Sequence, residues 1–528
     1  MGALVAERAA TDGDRVFVHV DGADVTYREF DAMITDAAHA FRSLGVVHGD
    51  RVATALPNGL DHLVVAFGLM RLGAVAVPLS EEYRDPQVAF TLRDADTGVL
   101  VATAAFVEEH RAAVEPSGVR TVVLTDGAAG HSGPYAARDW RTLLAEATPD
   151  GSLPSVAPSD PLAIIYTSGT TGDPKGVLLC HEHQRTIAEN IAGSVDLTAR
   201  DCFYNFFPLH HNTGLGIITG AVLSVGARML LIGRFSRTSF WPDVVRHGCT
   251  VFYGMGPIVE ILEKDPDADR AALGHRLRVC FGIAIDDGQA ARFGKRFGVG
   301  FVSGYGSTEV NMVAIAPMDG RHPGAAGRVL DDFEVAVVDD ADRPLPAGQV
   351  GEVVVRPRRP FITSLGYWRK PEETVRAWRN LWAHTGDAGR LDEDGHLYFV
   401  DRIKDVIRHR GNNVSSLEVE NVILALAGVA EVAVIPVPSE LGGFDQDVCA
   451  VVVPRAGIEL EPRAVVEACA RQLPKYAVPR YVELTGELPK TPTGKVRKVL
   501  LRAAEPSAAR FDRNTPDASP RHDERAGS

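Results

Sequence analysis

From Phe17 to about Ile232, short apolar runs rich in β-branched residues (RVATAL, AVAVPL, GVLVAT, RTVVLT, LAIIYT, ARMLLI) recur between stretches with helical spacing such as YREFDAMITDAAHAFRSLG. That alternation predicts a layered α/β architecture with substantially parallel sheets. Residues 325 to 400 change pattern. There FEVAVVDD, GEVVVRP and HLYFVD follow one another closely, with D-G and P-x-G turns between them, which predicts a β-rich subdomain. From Arg402 to about Leu501, two helical patterns (SLEVENVILALAG and PRAVVEACARQL) and two strand patterns (EVAVIPV and DVCAVVVP) suffice for a small α+β domain able to move as a unit. The expected organisation is therefore a large N-terminal α/β domain over 1–400, a mobile C-terminal α+β domain over 401–503 and a tail over 504–528. The tail is rich in Pro, Ser, Arg and Asp and is expected to be disordered.

Composition narrows the partners more than the fold. The chain has 528 residues, beyond the roughly 250 to 300 at which single cores stop growing, and its 45% hydrophobic and 23% charged content is that of a globular protein. A net charge of -14 provides no long-range attraction toward nucleic acid or anionic lipid, so any anionic ligand must be held by a local site. The six cysteines are scattered without a C-x-x-C pair, no secretory signal precedes them, and Ala6 stands where a myristoylation signal needs Ser or Thr. They read as reduced thiols of a cytoplasmic protein. The longest apolar stretch, Asp61 to Leu79, is broken by charges and glycines and predicts no membrane span.

Candidate chemistry enters with YTSGTTGDPKGV, Tyr166 to Val177, behind the strand pattern PLAIIYT and ahead of the helix pattern HQRTIAENIAGSV. Glycines that let backbone N–H groups approach phosphate oxygens, four Ser/Thr hydroxyls and Lys175 fit an anion cradle between strand and helix, while the same composition also fits an ordinary glycine-rich turn. Gly176 occupies the place where a Walker loop requires Ser or Thr, which disfavours a P-loop NTPase. The histidines 181, 183, 210 and 211 resemble a cluster. Neighbours in a strand point to opposite faces, so His210 and His211 are not expected to share a metal.

Four further strings follow in order: GYGSTEV (Gly304 to Val310), HTGDAG (His384 to Gly389), DRIKDVIRHRGNNVS (Asp401 to Ser415) and PKTPTGKVRK (Pro489 to Lys498). With them the chain resembles the adenylate-forming superfamily of acyl-CoA synthetases, adenylation domains and luciferases over about residues 15 to 503. In finer detail it is similar to the crotonobetaine/carnitine-CoA ligase branch, through FSRTSFW, HRLR, GRVL and RGNNVSSLEVE. The resemblance implies ATP-dependent activation of a carboxylic acid to an acyl-adenylate, release of pyrophosphate, and acyl transfer to the thiol of CoA. Thr167, Ser168, Gly169, Thr170, Thr171 and Gly172 with Lys175 would wrap the β- and γ-phosphates, Glu309 would hold Mg²⁺, Thr308 would contact the α-phosphate and Tyr305 would stack on adenine. Asp387 and Arg402 would take the ribose hydroxyls, Lys404 would be the hinge and Lys495 the catalytic lysine. Gly411 would line the pantetheine channel, and His211 would gate it from the acyl pocket. Lys490 and the basic residues after Lys495 read as surface.

One string departs from the family. Where relatives carry a Gly-Gly-Ala-Pro-like turn, this chain runs FGIAIDDGQ, Phe281 to Gln289, so substrate preference does not carry over. Tyr253, Met255, Phe281, Ile283, His210 and Asn212 suggest a mixed pocket for a modest organic acid. Other readings stay open: transfer to a carrier protein in trans, to an amine or to another nucleophile, or activation of an unusual oxyanion such as nitrite. A catalytically dead binding protein would require a lost catalytic group, whereas Lys175, Glu309, Asp387, Arg402 and Lys495 are all present.

Overall fold

The computed structural model describes residues 1–515 except 129, 131, 132, 149, 150, 168–173, 284, 286, 317, 319–321, 404, 410, 411, 441–445, 491–495 and 508. Two large sheets dominate. One has seven strands, in the spatial order Ala136–Asp139, Thr121–Leu124, Val99–Ala102, Arg51–Ala55, Val75–Pro78, Pro161–Thr167, Lys175–Cys180. All its pairings are parallel except the last, in which Pro161–Thr167 turns back antiparallel onto Lys175–Cys180. The other sheet has thirteen strands, and its centre from Val16–Val20 to Gly300–Ser307 is parallel.

Helices cover these sheets for reasons visible in their residues. Tyr27–Ser43 starts at a capping box, in which Thr26 Oγ1 accepts from the Glu29 amide while the Glu29 carboxylate accepts from the Thr26 amide. Leu60–Leu72 is apolar on nearly every side and is buried almost throughout, as expected of a helix enclosed by core on all faces. Phe30, Phe41, Phe67 and Trp140 belong to the same continuous core as Phe203, Trp241 and Phe281, which lie in or against the thirteen-stranded sheet. Among the described residues no helix is long and apolar enough to cross a membrane.

The strands expected as a β-rich subdomain do form: Phe333–Val338, Gly351–Pro357, Ala383–Leu391 and His396–Arg402 pair antiparallel. They keep a separate core around Val313, Phe333, Val353 and Leu397. Their ladder is nevertheless continuous with the parallel sheet, because Gly327–Val329 bridges His396–Arg402 to Asn311–Ala316.

Beyond residue 401, a four-stranded sheet runs in the order Val429–Pro438, Gln446–Pro454, Tyr481–Leu484, Phe511–Asp512. Helices Ser416–Leu424 and Pro462–Gln472 bury Val419, Ile423, Val465 and Cys469 against it. The last strand lies in the stretch expected to be disordered. Charge explains the difference: Arg480 Nη2 meets Asp512 at 3.1 Å, the Arg513 guanidinium donates to the Val478 carbonyl at 2.8 Å, and Arg510 pairs with Glu483. Composition alone missed ion pairs that tie a polar segment to a sheet edge.

Candidate active site

Two neighbouring strands bring the first pair of expected residues together. Asp387 and Arg402 are direct cross-strand partners, next to a bulge at Ala388/Gly389. The H-T-G-D string owes its turn to local bonds: Thr385 Oγ1 donates to the Val353 carbonyl at 2.7 Å and accepts from the Asp387 amide at 3.1 Å, while Gly386 takes φ +69. Asp387 is 3% exposed, and its Oδ2 accepts a 2.6 Å hydrogen bond from the Tyr305 hydroxyl. Oδ1 lies 2.9 Å from Arg402 Nε, but the N–H is not aimed at it, so this buried oxygen has no hydrogen-bond donor among the described residues. Burial pushes the Asp387 carboxyl upward, while Arg402 and Tyr305 pull it down. The Tyr305 phenol is pushed up as well, first by burial and then by Asp387. The Arg402 side chain is half exposed. The three residues therefore offer a buried acceptor beside a half-exposed cation, which suits a pair of hydroxyls with negative charge nearby.

The second grouping lies around the edge strand Lys175–Cys180. Thr167 and Lys175 are register partners at the ends of two antiparallel strands. That corrects the expected order of strand, loop and helix: the strand comes between the loop and the helix His181–Ser194, whose N-terminus does not follow the loop directly. A strap, Ser364 to Trp368, lies along this strand. Leu365 and Trp368 donate to Leu178 and Gly176, and Leu178 donates back to Gly366, whose φ of +107 and close approach to Thr374 leave no room for a Cβ. The strap places the Tyr367 ring 5.1 Å from Lys175 Nζ, and its hydroxyl donates to Glu309 Oε1 at 3.2 Å. Lys175 Nζ itself pairs with Glu373 Oε2 at 2.6 Å. Tyr367 and Glu373, in the string GYWRKPEE, escaped the sequence reading because neither stands in a glycine-rich or acidic motif.

Thr308 and Glu309 are half-buried at the end of strand Gly300–Ser307. Their turn is fixed by Asn311, another residue the motifs did not signal. It is 1% exposed at φ +75, with its amide nitrogen donating to the carbonyls of His183 and Ile362 (3.0 and 2.9 Å) and its Oδ1 accepting from the Met312 amide (2.6 Å). Asn tolerates the left-handed region better than most side chains, so these bonds hold a conformation few residues accept.

His211 is exposed and sits in a loop ahead of the π-helical turn Thr213–Ile218, its Nδ1 accepting from the Thr213 amide at 3.1 Å. His210 and His211 are thus not strand neighbours, and the opposite-faces argument does not apply to them. Burial pushes His210 down to about 3. Among the described residues, the groupings whose ligand atoms approach within 4.8 Å are His322, Asp392, His396 and Asp342, Glu352, His384. Asn212 is buried and accepts from the Gln184 amide; both line a narrow cavity with Met70, Leu162, His211 and Leu215. Tyr253 and Phe281 are buried with ring centroids 5.4 Å apart, whereas Met255 and Ile283, register partners on adjacent strands, are about 40% exposed (40% and 39%).

Ser168, Gly169, Thr170, Thr171, Gly172, Lys404, Gly411 and Lys495 lie outside the described residues. Of the basic residues around Lys495, Lys490 and Arg497 are exposed, as expected of surface residues, whereas Lys498 is not. Lys498 Nζ donates to Ser416 Oγ at 2.6 Å and pairs with Glu420 at 2.7 Å, while Ser416 Oγ donates to buried Asp401 at 2.7 Å. Lys490 pairs with Glu431 at 2.6 Å.

The described groups are thus a buried carboxylate beside a half-exposed guanidinium, and a lysine that shares the Tyr367 side chain with the Glu309 carboxylate. The chain belongs to the AMP-binding enzyme family: that family's model matches residues 5–368, and the model for the AMP-binding enzyme C-terminal domain matches 418–495. This places it in the class of AMP-forming acid–thiol ligases. Among particular relatives, it is 29% identical over 488 residues to the crotonobetaine/carnitine–CoA ligase of Salmonella enteritidis PT4, covering 90% of this chain and 93% of that one. It is 31% identical over 512 residues to the long-chain-fatty-acid–CoA ligase FadD13 of Mycobacterium tuberculosis, covering 95% and 98%. Its structure superposes on ATP-bound MatB from Rhodopseudomonas palustris with a TM-score of 0.84 at 28% identity, covering 95% and 98%. It superposes on the amide bond synthetase McbA from Marinactinospora thermotolerans with 0.81 at 28% identity, covering 95% and 99%.

Proposed function

We propose that this chain activates a carboxylic acid with ATP and passes the acyl group to the thiol of CoA. In the first step a carboxylate oxygen attacks the α-phosphorus, the bond to the β-phosphate oxygen breaks, and pyrophosphate leaves with the electron pair. In the second step the thiol sulfur attacks the acyl carbon, and AMP leaves as the thiol proton is lost. Two anions meet in the first step, so the residues that lower its barrier are preorganised cations and donors.

Asp387 and Arg402 would take the ribose hydroxyls, with Tyr305 fixing Asp387 and lying beside adenine. Thr167, the glycine loop and Lys175 would hold the β- and γ-phosphates, and Thr308 the α-phosphate. Glu309 is an oxygen ligand of the kind Mg²⁺ prefers, and the bound ion would neutralise phosphate charge. Lys495, reaching from a C-terminal domain that begins near residue 401 and hinges at Lys404, would stabilise the charge built up at the α-phosphate. His211 and Gly411 would line the thiol's approach. The observation that carries this reading is the buried Oδ1 of Asp387, an acceptor without a hydrogen-bond donor among the described residues, beside a half-exposed guanidinium.

The similarity to an amide bond synthetase keeps one second reading, in which an amine takes the acyl group in place of the thiol. Incubation of the enzyme with Mg-ATP and a panel of carboxylic acids, with and without CoA, tests both. AMP and pyrophosphate formed with at least one acid, and an acyl-CoA when CoA is added, support the thiol reading. Adenylation without thioester, relieved by an added amine, supports the second; no AMP with any acid sinks both.

A further inference from the structure

We infer that Glu373 is an internal counter-ion for the phosphate-binding lysine, standing where a nucleotide phosphate oxygen must come and yielding Lys175 to it. The inference rests on the reading of Lys175 as a phosphate ligand and adds a residue that sets how readily phosphate enters. Three contacts carry it. The Glu373 carboxylate is 2.6 Å from Lys175 Nζ, the ammonium lies over the Tyr367 ring, and the Tyr367 hydroxyl holds Glu309, the expected Mg²⁺ ligand. One side chain of the strap, Tyr367, thus touches both the cation and the carboxylate of the site, and Glu373, on the helix that follows the strap, neutralises the cation.

The placement is built into the backbone. Helix Pro371–Ala377, which carries Glu373, follows the strap directly, and the strap is pinned to the Lys175 strand by the Val177–Tyr367 bridge and by the Trp368 to Gly176 hydrogen bond. Thr374 Oγ1 accepts from the Tyr367 amide at 2.9 Å and fixes where the helix starts relative to the ring. The other Glu373 oxygen accepts from Arg376 at 2.9 Å. Both Lys175 and Glu373 are about one-third exposed (side chains 35% and 30%), so an incoming polyphosphate can reach the ammonium and a displaced carboxylate can turn to water while staying near Arg376 and Lys370. A carboxylate oxygen and a phosphate oxygen are interchangeable partners for an ammonium, so the two compete for Lys175. For a pair this exposed the competition is worth a small factor rather than an all-or-none block.

Calorimetric titration of the full-length protein with inorganic tripolyphosphate and with Mg-ATP tests this. E373Q should bind both about two- to fivefold more tightly than wild type, while E372Q, a neighbour on the same helix that makes no contact with Lys175, should not change. Unchanged or weaker binding by E373Q overturns the counter-ion role, as does equal tightening in E372Q, which would mark a general charge effect. If wild type and both variants bind neither ligand, the phosphate role of Lys175 falls first and this inference with it.

Discussion

The Tyr305 hydroxyl donates a 2.6 Å hydrogen bond to Oδ2 of Asp387, a residue 82 positions away on a different strand of the same sheet. That bond occupies one oxygen and leaves the other 2.9 Å from Arg402 Nε, with no hydrogen-bond donor among the described residues. Replacing Asp387 by Asn keeps an acceptor for Tyr305 but puts an NH₂ group where the free acceptor was. AMP affinity should fall about 10- to 100-fold, the scale of losing one or two hydrogen bonds to a charged group, with the melting temperature nearly unchanged. Calorimetry with AMP and a thermal scan check this.

Tyr305→Phe tests the same pair from the other side. It removes the donor and leaves a buried carboxylate oxygen bare, a cost of about 1–3 kcal/mol. The thermal midpoint should drop by several degrees, and AMP binding should weaken less than in Asp387→Asn. An unchanged midpoint would contradict the stabilising role given to this bond.

Asn311 holds the Glu309 turn through a left-handed backbone and three hydrogen bonds. Asn311→Gly relieves the backbone demand but loses the bonds, whereas Asn311→Ala loses the bonds and meets the strain, so Ala should be the worse by about 1 kcal/mol. Thermal denaturation of the two variants gives the order. A glycine variant less stable than the alanine variant would show that the φ of +75 is not what matters.

Acid sensitivity follows from buried histidines. Burial pushes His62 and His183 down to about 4 from 6.5. Both are neutral in the folded protein above that value, while the unfolded chain takes up protons from pH 6.5 downward. Stability therefore falls as pH drops from 6.5 toward 4, and it does so because the unfolded state binds more protons in that window. His183→Leu should be less stable than wild type at pH 7 through altered packing, yet lose less between pH 6.5 and 4. Midpoints measured across that range check the slope.

Much of this was legible in the residues, and what was not has physical causes. The parallel strands and the helix Tyr27–Ser43 follow from apolar runs and a capping box, signals local to each segment. The strings around Lys175, Glu309, Asp387 and Arg402 marked four candidate positions because glycine turns and charged residues stand side by side there. Glu373 and Tyr367 were not marked, since their roles come from a strap laid across another strand, a tertiary pairing no local pattern encodes. Asn311 reads as an ordinary loop residue until its φ is known. The helix pattern HQRTIAENIAGSV formed as His181–Ser194, but the strand Lys175–Cys180 ahead of it was missed, because its apolar run fits either element and antiparallel pairing with Pro161–Thr167 decided for strand. The Phe511–Asp512 strand was missed because its stabilisation is ionic and long-range.

The central claim, that a carboxylate attacks the α-phosphate of ATP in the site formed by Lys175, Glu309, Asp387 and Arg402, is tested most directly with an acid labelled with ¹⁸O in its carboxylate. The measurement uses whichever acid gives the fastest release of pyrophosphate, and the products are resolved by mass spectrometry. The account predicts one ¹⁸O atom in the phosphate of AMP and none in pyrophosphate. Label in inorganic phosphate with formation of ADP, or AMP free of label, would contradict it.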